Sequence, residues 1–535
     1  MDLFSFLYNS SQNLHVKLNY YKKNLLPENL SSLNDIKIDN DETINELITY
    51  LIKSNKINKK KINQLFLKYF DQKINLKIRK NYTSLISKFL NQLLPILLNQ
   101  NHPKQATFQL LRFLDQISPN FEYLEKLLQK QFIYKNLTEV LSFSGHITNL
   151  LAKDEKLLEI LDPYYSFRLN GNITIYTNAF EKIQYSLDKE EIILNKLRKL
   201  HRYLKFQIIT SVITSELKIE NASYELSLLA RATLEKTIEI AYYLINKKMK
   251  FKENFLDQIG LLAYGRLANN TLTANSDLDL VFIYPNQNSN FSNLQEYIKF
   301  YKNFSKKIIN MLSAKTSEGI LYEVDTKLNP SFNKNDLCCK ISDFLNFHEK
   351  HSYAWEKIAL KKSDVVFKNS KFQISLDHLV KKIKLKKINI HDLLSEIKSM
   401  RGIKSNNEKN NFLKIKEKKT KLINWYETKY SLGGQRDIEF LEYLYTSKQV
   451  NGKIDNLNEK KLFVKTSKQF YYIIDQFINV TFSSEKPESL PNKVVKYLTQ
   501  YLNVKDLGNL KKMTRFRKNE VNKYLNEIFK NILHK

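Results

Sequence analysis

A chain of 535 residues is too long for one hydrophobic core, so two to four domains are expected, and 42% hydrophobic and 12% aromatic residues give it enough apolar surface to fold. Only 10 glycines and 9 prolines are present, which excludes a turn-rich all-β architecture and favours helices. The formal charge of +31 comes mostly from lysines scattered among asparagine and isoleucine instead of gathered in a stripe, so it reads as solvated surface before it reads as a nucleic-acid face.

In chain order, Met1, Asp2, Leu3, Phe4 and Ser5 lack the basic and apolar regions of a signal peptide. No apolar run is long enough to span a bilayer, so no membrane partner is expected. Residues 1–220 repeat apolar positions three and four apart and are expected to form a helical N-terminal domain. Within it, residues 150–161 place Leu150, Leu157, Leu158 and Leu161 on one helical face, and Asp162-Pro163 stops the helix. The texture changes near Asp257. Residues 259–264, 278–284 and 320–325 are short apolar runs of strand length, with a helical stretch over 293–314 between the last two. Residues 221–344 therefore read as a compact α+β domain with a small sheet, and residues 345–535 as a helical C-terminal domain with an exposed helix or linker near 405–421. Cys338 and Cys339 are adjacent, so a structural disulfide between them is not expected, and a reducing cytoplasm fits.

The chemistry concentrates at Ser276-Asp277-Leu278-Asp279, at the mouth of the second strand. Residues two apart in a strand point to one side, about 6–7 Å apart, so Asp277 and Asp279 converge on a hard cation. The alternating Leu278 and Leu280 would anchor the apolar face while the acidic face meets solvent. Asp325, on a further strand, supplies a third carboxylate, whereas Glu323 reads as a salt-bridged surface acid.

Four motifs then resemble the glutamine synthetase adenylyltransferase family. The first is Ala263-Tyr264-Gly265-Arg266-Leu267 followed by Ser276-Asp277-Leu278-Asp279-Leu280-Val281-Phe282. The second runs from Thr316 to Asp325 and ends in Leu328-Asn329-Pro330-Ser331. The others are Ala354-Trp355-Glu356 with Ala359-Leu360, and Gly433-Gly434-Gln435-Arg436-Asp437-Ile438-Glu439-Phe440. The segment Leu151 to Pro163 is similar to the one preceding the family's transferase half. Only one motif set is present, closest to the adenylyl-transferring half, so no adenylyl-removing half is expected.

The resemblance implies a nucleotidyltransferase (polymerase-β-like) core with a small mixed sheet between N- and C-terminal all-helical domains. It implies transfer of AMP from ATP to a tyrosine hydroxyl of glutamine synthetase, with two Mg²⁺ ions and with a small nitrogen-signalling protein as a possible further partner. Asp277, Asp279 and Asp325 would hold the metal and carry catalysis, Gly265, Arg266 and Ser276 would line the triphosphate, and Lys327 would be a cationic partner. The family's paired glycines are Ala268-Asn269 here, its two arginines after the third carboxylate are Lys327 and Asn329, and a usual arginine after Trp355-Glu356 is Asp364. These changes leave the acids and loosen the phosphate grip, which opens a second reading, a weakened binding protein that docks on glutamine synthetase. A third reading, transfer to RNA, rests on charge alone. Gly433-Gly434 is expected to enter a helix in a structural role, and Trp355-Glu356 to anchor domains.

Overall fold

Amphipathic periodicity carries most of the chain into helices. The computed structural model describes residues 42–54, 58–100, 103–163, 169–185, 189–249, 256–286, 294–330, 337–401, 425–447, 450, 452, 454–481 and 490–533. The first five residues, Asn293, Ser331 and the 405–421 stretch lie outside them. The chain divides into two units, one of residues 1–168, 206–218 and 477–510, the other of 169–205, 219–476 and 511–535. No helix among the described residues is long and apolar enough to cross a membrane.

The first unit is helical. Its helix Leu76–Leu98 starts where the Asn75 side chain accepts from the Lys77 amide. The helix buries Tyr82, Ile86, Phe89, Leu90, Leu93, Leu94 and Leu97, a stripe set by the three- and four-residue spacing. That stripe packs on the helices Lys59–Lys73 and Phe121–Gln129, and each fully buried side chain contributes about 1.5–3 kcal/mol. The expected helix over 150–161 is two elements. An α-helix, Gly145–Lys153, ends at Asp154, which turns extended and accepts from the Lys156 amide to start the 3-10 helix Glu155–Leu161. Leu157, Leu158 and Leu161 are buried as expected, but Leu150 lies before the break and Leu151 is the buried residue there. Asp162 is extended ahead of Pro163 and closes the element.

The second unit holds the sheet. Strands β1 (Gly260–Ala263), β2 (Leu278–Tyr284), β3 (Val324–Asp325), β4 (Cys338–Lys340) and β5 (Asp364–Val365) form a small mixed sheet, so the described chain is α+β and helix-rich. β1 pairs antiparallel with β2 on one side and with β5 on the other. The far edge of β2 is shared by two short parallel partners, β3 near its start and β4 near its end. One face of the sheet, with Leu262, Val281 and Ile283, packs on Phe344, Leu360, Leu376 and Val380 from the helices that follow. On the other, Tyr284 stacks on Tyr301 of the helix Leu294–Ser313, centroids 4.8 Å apart. Helices thus cover both faces, and β2 is buried along its length except at Asp279. The expected split into an apolar face and an acidic face therefore holds only at the mouth of the strand.

The expected strand over 320–325 shrinks to Val324–Asp325 because the Leu321 and Tyr322 amides donate to the carbonyl of Leu312, at the end of the preceding helix. Before them Thr316 and Gly319 close a tight turn, with Gly319 at φ +90°. Cys338 and Cys339 are free thiols buried in β4.

His348 gives this unit an acid sensitivity. It is 3% exposed, with its ring edge-on to Phe344 at 4.6 Å. Burial pushes its imidazole down to about 4, and the charge of Lys357 adds to the effect. The unfolded chain takes up this proton near pH 6.5, the folded chain only near pH 4, so stability is full above pH 6.5 and falls as pH drops through that window. Urea unfolding at pH 7 and pH 4.5 is expected to show His348→Asn losing less stability on acidification than wild type, by about 2 kcal/mol.

Candidate metal centre

The register of β2 and β3 builds the site. Leu278 sits opposite Val324 and Asp279 opposite Asp325 in a parallel pair, locked by the Leu278 amide donating to the Glu323 carbonyl at 2.9 Å. Neighbouring strands lie about 4.8 Å apart, so this register alone brings two carboxylates together. Asp277, one residue before β2, completes the cluster. One oxygen from each of Asp277, Asp279 and Asp325 lies within 4.8 Å of the other two, and each residue is partly buried. No other group of three His, Cys, Asp or Glu side chains converges this closely among the described residues.

The electrostatics fit a hard divalent cation. Burial and the neighbouring charge of Asp277 push the Asp279 carboxyl up to about 6; Asp325 adds repulsion, while Lys429 and Lys327 oppose it. Burial also pushes Asp325 up, but hydrogen bonds from the Lys327 ammonium at 2.6 Å and amide at 2.8 Å outweigh it and hold that carboxyl below its usual range. Three acids gathered at partial burial repel one another, and a cation relieves both costs.

Gly265 makes room for this arrangement. It has φ +58°, and a Cβ there would collide with the Asp279 Oδ2. The Tyr264 amide donates to the Asp279 carbonyl at 2.9 Å, which fixes the glycine against the acid. Gly265→Ala is expected to cost about 1–3 kcal/mol in thermal unfolding, and to weaken Mn²⁺ binding in a titration of the same variant.

The remaining expected site residues divide. Lys327 is 88% exposed and reaches Asp325. Arg266 is paired with Asp475 of the helix Leu457–Thr481. Ser276 closes a turn, its hydroxyl accepting from the Thr273 amide at 2.9 Å and bonding the Thr273 hydroxyl at 2.7 Å. Glu323 is exposed and outside the acidic cluster.

Two of the departures from the family pattern are less disruptive than their residue types suggest. Ala268 sits in the short helical turn Gly265–Ala268, and Asn269 caps it at φ −93° with its side-chain amide donating to the Gly265 carbonyl at 2.7 Å. The left-handed residues here are Gly265 and Asn270, so the alanine at 268 sits in a backbone conformation it adopts without strain. Asp364 in β5 accepts from Arg231 at 3.0 Å, and the same guanidinium reaches the Leu267 carbonyl at 3.3 Å. Asp364 thus ties the Gly265 turn to the sheet.

The other two motifs serve local architecture. The Ala354 and Trp355 amides, at the start of the helix Ala354–Lys361, donate to Glu396 at 2.9 and 3.0 Å, while Glu356 accepts from the Tyr353 amide at 2.8 Å. Gly434 opens the helix Gln435–Leu444, and the Gly433 amide donates to the buried Asp437 at 2.7 Å. Sequence reasoning missed Lys429, four residues before Gly433, whose ammonium acts on all three acids of the cluster. Its signal was present only as the adjacent glycine pair that fixes its loop.

Three converging carboxylates at the mouth of a small mixed sheet define an α+β protein with a candidate divalent-cation centre. A family model described as glutamate-ammonia ligase adenylyltransferase matches residues 134–379. A bifunctional glutamine synthetase adenylyltransferase/adenylyl-removing enzyme of Alteromonas mediterranea is 26% identical over 396 residues, 71% of this chain and 39% of that protein. The similarly named enzyme of Shewanella oneidensis is 27% identical over 375 residues, 67% of this chain and 38% of that one. That of Mannheimia succiniciproducens is 30% identical over 298 residues, 52% of this chain and 30% of that one. Over residues 134–379 the chain matches the glutamine synthetase adenylyltransferase family, and it spans well under half of each of these relatives.

Proposed function

We propose that this chain transfers AMP from ATP to a tyrosine hydroxyl of glutamine synthetase, using β1 to β5 and their covering helices as a nucleotidyltransferase (polymerase-β-like) core. The observation that carries the reading is the convergence of Asp277, Asp279 and Asp325 within 4.8 Å beside a glycine that approaches them without a side chain. The family match supports the substrate and the acceptor.

In this reading Asp277 and Asp279 hold Mg²⁺, and Asp325 completes the ligand set. When bound, Mg²⁺ would supply positive charge to offset that of the triphosphate. Asp325 orients the incoming phenol and takes up its proton. The phenolic oxygen bonds to the α-phosphorus, the bridging P–O bond breaks, and pyrophosphate leaves with the electron pair. Lys327, exposed and paired with Asp325 among the described residues, swings to the phosphates when nucleotide enters. Gly265, and the turn closed by Ser276, set the backbone against the triphosphate, with Arg266 held at its edge by Asp475.

The test is label transfer from α-³²P-ATP, with Mg²⁺ and the cognate glutamine synthetase. Label on the synthetase, lost on adding EDTA, is the expected result. Its absence with an acceptor that a relative of this family does modify overturns the proposal.

A further inference from the structure

Residues 264–277 join β1 to β2 and set Gly265 and Asp277 against Asp279, and side chains of two helices hold this segment. From the helix Ile219–Met249, the Arg231 guanidinium donates to the Leu267 carbonyl at 3.3 Å, and the Ser227 hydroxyl accepts from the Leu272 amide at 3.3 Å. From the helix Leu457–Thr481, the buried Gln476 side chain donates to the Leu272 carbonyl at 3.0 Å and to the Ser223 hydroxyl. Leu267 and Leu272 are both buried, so their backbone groups need partners, and packing alone accounts for these contacts.

The pair between Asp475 and Arg266 is different, because it satisfies no backbone group. The Asp475 side chain is 7% exposed and that of Arg266 19%, so both ions give up most of their water. A neutral pair would fill the same space at lower cost. What the charged pair adds is direction, since a guanidinium next to an exposed glycine is drawn to one buried carboxylate instead of solvent. The main chain of the turn is fixed with it. The Thr271 amide donates to the Arg266 carbonyl at 2.9 Å, and one residue earlier Gly265 abuts the Asp279 Oδ2, where a Cβ would collide. A continuous series of contacts thus runs from Asp475 to an acid of the cluster.

We propose that Asp475 is a positioning residue of the metal centre: by holding Arg266 it keeps the Gly265 turn closed on Asp279, so that the acids form a cation site before nucleotide arrives. This rests on the proposed function above and adds to it a residue beyond the segment 134–379 that the family model matches. Asp475 is outside the acidic cluster and acts only through the turn.

The test is Mn²⁺ titration of the full chain without nucleotide, so that contact of Arg266 with phosphate plays no part. Asp475→Asn and Arg266→Met are each expected to bind Mn²⁺ about tenfold more weakly than wild type, the scale seen for residues that orient metal ligands. The double variant is expected to bind no more weakly than either single one, because both changes break the same pair. Arg266→Lys keeps the charge and is expected to stay closer to wild type than Arg266→Met. Hydrogen exchange at the Thr271 amide is expected to quicken in Asp475→Asn and Arg266→Met. Arg266 is partly exposed, so Arg266→Met carries the test if Asp475→Asn does not fold. Wild-type Mn²⁺ affinity in either folded single variant, losses that multiply in the double variant, or a wild-type chain that takes up Mn²⁺ only with nucleotide overturns the inference and leaves the proposed function standing. A wild-type chain that takes up no Mn²⁺ with or without nucleotide overturns both.

Discussion

Asp279→Asn is expected to abolish AMP transfer, by about a thousandfold or more, while stabilising the metal-free protein. The two effects share one cause. Asp279 is held at the mouth of β2 by strand pairing, where burial and repulsion from Asp277 push its carboxyl up to about 6. Because the folded value lies above the ordinary one, ionisation at pH 7 works against folding, and this cost grows as pH rises from about 4 to about 6. Asparagine removes it and should add about 1–3 kcal/mol in thermal unfolding with EDTA present. With Mn²⁺ in excess the order should reverse, since wild type alone gains the free energy of binding. A variant less stable than wild type in EDTA would show that Asp279 serves the fold and not a cation.

Gly433→Ala should be the most damaging small substitution in the second unit. Alanine would have to adopt φ +73° and displace the backbone carbonyl of Lys518, which no side-chain movement relieves. A loss of roughly 3 kcal/mol or more is expected in urea unfolding. Gly452→Ala is the control: nothing lies within 4 Å of its Cβ, and its stability should stay within about 0.5 kcal/mol of wild type. If the two variants unfold alike, the packing of the glycine pair is not what fixes this loop.

The helix-rich α+β class and the small sheet were legible in the sequence because they rest on local pattern. The run Leu278–Tyr284 is apolar and β-forming at every position but Asp279, and it folds as β2 over those same residues. The helix expected over 293–314 appears as Leu294–Ser313. What escaped depends on distant partners. β4 and β5 have three and two residues and become strands only by pairing with β2 and β1. The shortening of β3 is set by the carbonyl of Leu312, and the break at Asp154 by one side chain competing with the helix. Within the site, the spacing of Asp277 and Asp279 and the strand position of Asp325 were visible, and the three do converge. The approach of Gly265 to Asp279, the pairing of Arg266 with Asp475 and the arrival of Lys429 were not, since each depends on tertiary pairing that local pattern does not reveal. Residue type misled at Ala268, where a family glycine is replaced but the backbone stays helical.

Electron paramagnetic resonance of Mn²⁺ bound to the full chain, with and without a non-hydrolysable ATP analogue, reaches the central claim most directly. Wild type should hold Mn²⁺ at a saturable site that tightens with nucleotide, and the Asp279→Asn protein should lose it while remaining folded. Wild type that leaves all Mn²⁺ free even with nucleotide present, or an Asp279→Asn variant that binds it equally well, would contradict a metal centre built on these three aspartates.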